Sequence, residues 1–160
     1  MKALIIYYSM MGRTKKSALA IGTELTNYEV DYFPVKLTGK FIERIKQFDK
    51  FEKGDFSTIE PGLNNLDAAG YDLLIFGMPT YGDHPPGTFD EIIKRMTNLK
   101  GKKVIVFTTA RFSGGKALQY MKEKIEANGA QIINQTKFRR LFYLGVRKAK
   151  KFGEKINLNK

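Results

Sequence analysis

Short apolar runs alternate with amphipathic stretches along the whole chain, and this alternation is the pattern of a parallel sheet wrapped by helices. Residues 2–8 (KALIIYY) are apolar without period-two alternation, as a strand buried on both faces should be. Ala18, Ile21 and Leu25 follow at three- and four-residue spacing, which predicts a helix over 13–26. Residues 30–37 form a second strand, and Pro34, which lacks a ladder donor, places it at the sheet edge. Phe41, Ile45 and Phe48 make the next helical stripe, followed by a long connection broken by Gly54, Pro61 and Gly62. Residues 71–77 (YDLLIFG) are a third buried strand, and a Pro- and Gly-rich loop leads from it to a helix carrying Ile92, Ile93 and Met96. Residues 104–108 (VIVFT) are the fourth strand. Leu118, Met121 and Ile125 then mark a helix stopped at Asn128-Gly129. Residues 130–137 are the fifth strand and 146–157 the last helix. Five such units predict an open, doubly wound α/β sheet with helices on both faces, which takes ligands beyond the carboxyl ends of its strands.

At 160 residues the chain is expected to form one domain, and its 42% hydrophobic content fits a folded protein. The absence of cysteine excludes a disulfide scaffold, a thiolate metal site and a Cys nucleophile, and fits a reducing compartment. Only six apolar residues, from Ala3 to Tyr8, precede Ser9, too few for a signal peptide or a membrane span, so a cytoplasmic protein is expected. Net charge is +12, and it is uneven. Residues 137–160 carry nine basic side chains against Glu154 alone, so eight of the twelve charges lie there. Lys94, Arg95, Lys100, Lys102 and Lys103 form a second cluster. A solvated lysine-rich surface and a docking surface for an acidic protein, nucleic acid or anionic lipid both fit this distribution.

Three strand-end turns carry the chemistry. The first is Ser9-Met10-Met11-Gly12-Arg13-Thr14. Hydroxyls and a glycine at a helix N-terminus suit a phosphate. A bare N-cap by Ser9 or Thr14 is the alternative. The turn is neither GxGxxG nor a Walker loop, having one glycine and no P-loop lysine. The second runs through Pro79, Thr80, Tyr81, Gly82 and Asp83, where the tyrosine ring can stack on a flat ligand. The third comprises Thr108, Thr109, Ala110, Arg111, Phe112, Ser113 and Gly114. For Phe112, packing against a neighbouring loop is the competing role. His84, the single histidine, leaves no His metal cluster and no Ser-His-Asp triad; it is a solvated loop residue or a proton donor to a bound ligand.

Together the turns resemble those of the flavodoxin family over nearly the whole chain. The match lies in a Ser-x-x-Gly-x-Thr loop after strand one, Gly77-Met78-Pro79-Thr80-Tyr81-Gly82 after strand three, and a loop with an aromatic and a glycine pair after strand four. The resemblance implies a five-stranded parallel sheet of order 2-1-3-4-5 and FMN as cofactor. Residues Ser9 to Thr14 would hold its phosphate, Thr80 to Asp83 one side of the isoalloxazine, and Thr109 to Gly114 its pyrimidine side. It also implies that the Gly82-Asp83 peptide turns to hydrogen-bond flavin N5. Met11 departs from the family pattern, which prefers Thr there, and the basic charge departs from the usual acidic carriers. The receiver-domain alternative fails on its residues, because the ends of strands one and three read Tyr8-Ser9 and Met78-Pro79 and lack the acids that fold needs.

The expected function is single-electron transfer between redox partner proteins, acidic at their docking surface, by a monomer or weak dimer. A small FMN-dependent NAD(P)H or quinone oxidoreductase is the enzymatic alternative. A fold retained for binding nucleic acid or anionic membrane is the other.

Overall fold

The computed structural model describes residues 1–36, 61–110, 115–139 and 144–158. The stripe of Phe41, Ile45 and Phe48 lies outside them. The elements run β1 (Lys2–Tyr8), α1 (Arg13–Glu24), β2 (Glu29–Val35), a 3-10 turn (Pro61–Asn65), β3 (Leu73–Pro79), α2 (Thr88–Arg95), β4 (Lys103–Ala110), α3 (Gly115–Ala127), β5 (Gln131–Arg139) and α4 (Leu144–Leu158). All five strands are parallel in the order β2-β1-β3-β4-β5. Pro34 therefore sits on an edge strand, where its missing N–H costs the sheet no bond on the open side.

The apolar strands serve two cores. Leu4, Ile6 and Tyr8 of β1 join Leu74 and Phe76 of β3 in a core that includes Ile92 of α2 and Met121 of α3. Ile5 and Tyr7 face the other way, with Ile75, Ile105 and Phe107, against Ile21 of α1 and Ala149 and Ile156 of α4. Because successive side chains point to opposite faces, β1 must be apolar at every inner position, which is why its sequence shows no alternation. On the edge strand β5 burial alternates, with Ile132 packed on the first core and, past a bulge, Phe138 in the second.

Several ends differ from the sequence reading by one or two residues, since pairing partners set them. Residue 71 is not yet strand: the Tyr71 N–H donates to the Ala68 carbonyl and the Asp72 N–H to that of Lys2, so β3 begins at Leu73. It continues to Pro79 because Pro79 pairs with Thr109, and β4 continues to Ala110 opposite Arg139. Ala130 still donates to the Ile125 carbonyl and closes α3, with Gly129 at φ +78° as the expected left-handed stop.

Helices α1 and α4 lie together on one face. Gly153 makes the close approach possible, since a Cβ there would stand 2.6 Å from the Ile21 carbonyl oxygen of α1. The Asn157 side-chain amide donates to the Glu24 carbonyl and to Thr26 Oγ1. No helix among the described residues is long and apolar enough to cross a membrane.

Candidate functional site

Strand order reverses between β1 and β3, and a doubly wound sheet opens a crevice at that point. A cavity of about 830 Å³ opens there. The first turn contributes Ser9, Met10, Met11, Arg13 and Thr14 to its wall, the second Pro79, Thr80 and Tyr81, and the third Thr109 and Ala110. Two hydrogen bonds tie the turns together. Thr14 Oγ1 and Thr109 Oγ1 share one at 2.8 Å, and the Thr80 N–H donates to the Thr109 carbonyl at 3.1 Å.

Neither Ser9 nor Thr14 caps α1. The N-cap is Gly12 at φ +77°, with no side-chain cap bond, and a Cβ there would meet nothing within 4 Å. Glycine is thus required for the left-handed backbone alone. Ser9 lines the cavity, and its buried Oγ has no hydrogen-bond partner. A buried hydroxyl is normally satisfied, so this one is set for a ligand atom.

The second turn is a tight hairpin. The Tyr81 N–H donates to the His84 carbonyl at 2.9 Å and the His84 N–H returns the bond at 3.0 Å, while Gly82 (φ +55°) and Asp83 (φ +67°) both take positive φ. That is a type I′ turn, which fixes where Tyr81 leaves the loop. Tyr81 is half-buried against the α2–α3 side core. Burial, with a smaller contribution from Tyr8, raises its phenol pKa, so it stays protonated at neutral pH. His84 is exposed, and its ring stands edge-on to Tyr120 at 5.8 Å. The Tyr120 hydroxyl donates to Asp90 Oδ1 at 2.7 Å; burial and that carboxylate push its pKa up to about 12.

Gly12, Gly82, Asp83 and Thr108 belong to the same turns but do not line the cavity. Thr108 is fully buried, and its Oγ1, like Asp83 Oδ1, has no hydrogen-bond partner. Arg111, Phe112, Ser113 and Gly114 lie outside the described residues. The structure adds six residues that the turn-by-turn reading missed: Lys16 and Ser17 of α1, Phe138 and Arg139 at the end of β5, and Gly145 and Val146 at the start of α4. Lys16 and Ser17 stand three positions after Arg13 and Thr14, a spacing that shares a helix face and could have found them. The β5–α4 side carried no such local signal.

The described wall holds three cations, Arg13, Lys16 and Arg139, and no acid. A left-handed glycine at a helix N-terminus, an unpartnered hydroxyl and basic side chains suit a phosphate. The wider, partly apolar chamber beside Tyr81 suits a flat ring. The residues present therefore fit a flavin mononucleotide.

Residues 1–139 match the family model described as NADPH-dependent FMN reductase. A flavodoxin from Maridesulfovibrio salexigens is 28% identical over 145 residues, covering 84% of this chain and 83% of the relative. Among solved structures, a flavoprotein in complex with FMN from Lactobacillus acidophilus aligns at TM-score 0.58 and 25% identity, over 85% of this chain and 92% of its own. A flavodoxin from the domain Archaea aligns at TM-score 0.63 and 18% identity over 99% and 97% of the two chains, a likeness of fold.

Proposed function

The chain belongs to the NADPH-dependent FMN reductase family, with a flavodoxin-like fold and FMN as its cofactor, and from that premise we propose that it is an electron carrier passing single electrons between redox proteins. The observation that carries this reading is the cavity, without an acid among its described lining residues, in which the Thr14–Thr109 hydrogen bond joins the first and third turns, with Tyr81 in the wall. Ser9, Met10, Met11, Gly12, Arg13 and Thr14 would hold the phosphate. Thr80 and Tyr81 would bear on one side of the isoalloxazine, and Thr109 and Ala110 on its pyrimidine side. FMN, when bound, supplies reversible one- and two-electron chemistry that no side chain here offers. The protein's part is to orient the ring, keep water from its inner edge and set its surroundings. Arg13 and Lys16 hold positive charge near the phosphate end. Tyr81, kept neutral by burial, offers a π face and no proton acceptor.

A second reading, a reductase that oxidises a nicotinamide cofactor itself, is favoured by the family match and by the breadth of the cavity, whose wall extends to Phe138, Arg139, Gly145 and Val146. Steady-state oxidation of NADPH by the FMN-loaded chain separates the two. A carrier turns over NADPH only when a separate reductase is added. Turnover without one, in proportion to the chain's concentration, replaces the carrier reading with the reductase.

A further inference from the structure

Two helices begin at the cavity, and both carry charge of the wrong sign for a helix N-terminus. The first turn of α1 holds Arg13, Lys15 and Lys16; that of α4 reaches Arg147, with Lys148 next, and neither turn has an acid. The partial positive charge of a helix start repels cations, so each one destabilises the helix it opens. α2 shows the ordinary arrangement, with Asp90 and Glu91 in its first turn and Lys94 and Arg95 in its last. Helix α3 shares the pattern, with Lys116 and no acid in its first turn, but only α1 and α4 place first-turn residues in the cavity wall. All five cations are exposed, and none makes an ion pair with a described residue. Next to them in the chain, Met11 is 68% exposed and Val146 38% exposed, and both line the cavity. An apolar centre within a charged rim is the anatomy of a protein interface, and this charge selects an acidic occupant.

We propose that the rim formed by Lys15, Arg147 and Lys148 around Met11 and Val146 is the docking face for an acidic redox protein, an inference that rests on the carrier reading of the same cavity. A membrane fits less well. A helix lying on lipid presents an apolar face to it, whereas in α4 Ala149 and Ile156 are buried in the core and Phe152 packs against it. Single-stranded nucleic acid fits less well too, because among the described residues the exposed large hydrophobics of this rim, Met11 and Val146, are aliphatic and give bases no exposed ring to stack on.

The test follows binding of the FMN-loaded chain to a labelled acidic plant-type [2Fe–2S] ferredoxin by fluorescence anisotropy, at low and at physiological salt. Affinity should fall as salt rises. It should fall about tenfold or more in a Lys15→Glu, Arg147→Glu, Lys148→Glu triple variant. A second triple, Lys94→Glu, Lys100→Glu, Lys103→Glu, makes the same change of net charge at the other end of the sheet. The eight residues of β4 put about 26 Å between those ends, several Debye lengths, so this variant should bind within about twofold of the parent. Equal loss in both triples, or no binding by the parent, overturns the proposal. So does tighter binding to duplex DNA, or to phosphatidylcholine vesicles with about one-third phosphatidylserine, that only the first triple abolishes. Steady-state NADPH oxidation by the FMN-loaded parent, with no reductase added, keeps the two readings apart: turnover defeats the carrier reading, whereas the anisotropy reports docking alone.

Discussion

Ser9 and Thr14 belong to one turn, yet their hydroxyls are in different situations. Thr14 shares its hydrogen bond with Thr109, whereas the buried Ser9 Oγ has none. Thr14→Val should therefore lower the stability of the FMN-free protein by about 1 kcal/mol, since it also strands the Thr109 hydroxyl. Ser9→Ala should leave that stability unchanged and reduce FMN affinity by about 1.5–3 kcal/mol, the worth of a hydrogen bond to a charged group. Urea melts and fluorescence titrations check both, with riboflavin in parallel; an equal loss for riboflavin would move the phosphate away from Ser9. Asp83 poses a separate question. It holds φ +67° and buries an unpartnered carboxylate oxygen. Asp83→Gly removes the orphan and the left-handed strain at the cost of added backbone entropy, so the urea midpoint should rise, by about 1 kcal/mol in stability. A lower midpoint would show that the Asp83 side chain holds the hairpin in a way its contacts do not reveal.

Among the elements, the α1–α4 pair has the tightest tolerance. At Gly153 an added Cβ meets the backbone of α1, which cannot move aside without parting the helices. Gly153→Ala should cost about 1–3 kcal/mol. It should also weaken FMN binding, because α1 starts at the cavity. At Gly22 the Cβ meets the hydroxyl end of Tyr32, a partly exposed side chain that can swing outward, and stands 3.1 Å from the terminal methyl of buried Ile5, which need give only a few tenths of an ångström, while alanine is the better helix former. Gly22→Ala should fall within about 1 kcal/mol of the parent. Thermal melts of the two variants side by side test the contrast. This packing also explains what the sequence could and could not disclose. The strands were legible because burial on both faces leaves an unbroken apolar run, as in β1, and the turns because Gly12, Gly82 and the hydroxyl residues stand at fixed offsets from strand ends. Strand ends were not, since Pro79 and Ala110 are extended by partners elsewhere in the chain. Nor was the far wall of the cavity, which exists only once β5 has paired with β4 and α4 has packed on α1, setting Arg139, Gly145 and Val146 in one wall with Arg13 and Lys16.

For the molecule as a whole, alkaline pH is the informative stress. Burial raises the pKa values of Tyr7, Tyr32, Tyr71, Tyr81 and Tyr120 above the ordinary 10.0, to about 12 for Tyr120. Above pH 10 the unfolded chain releases these protons first while the folded protein retains them. Their contribution to stability is complete below pH 10 and is lost as pH climbs through the folded values, so the urea midpoint should decline over that window. Tyr120→Phe should make the decline shallower; an identical slope would assign it to other groups. The Thr14–Thr109 hydrogen bond has a consequence in time. Its partners lie 95 positions apart, and the cavity wall draws on residues from Ser9 to Val146. Long-range closures of this kind form late, after their loop entropy has been overcome. Stopped-flow refolding should therefore run at a rate indifferent to FMN concentration, while unfolding slows as FMN rises. Cofactor capture is then an event of the finished sheet, and the chain reaches its fold unaided.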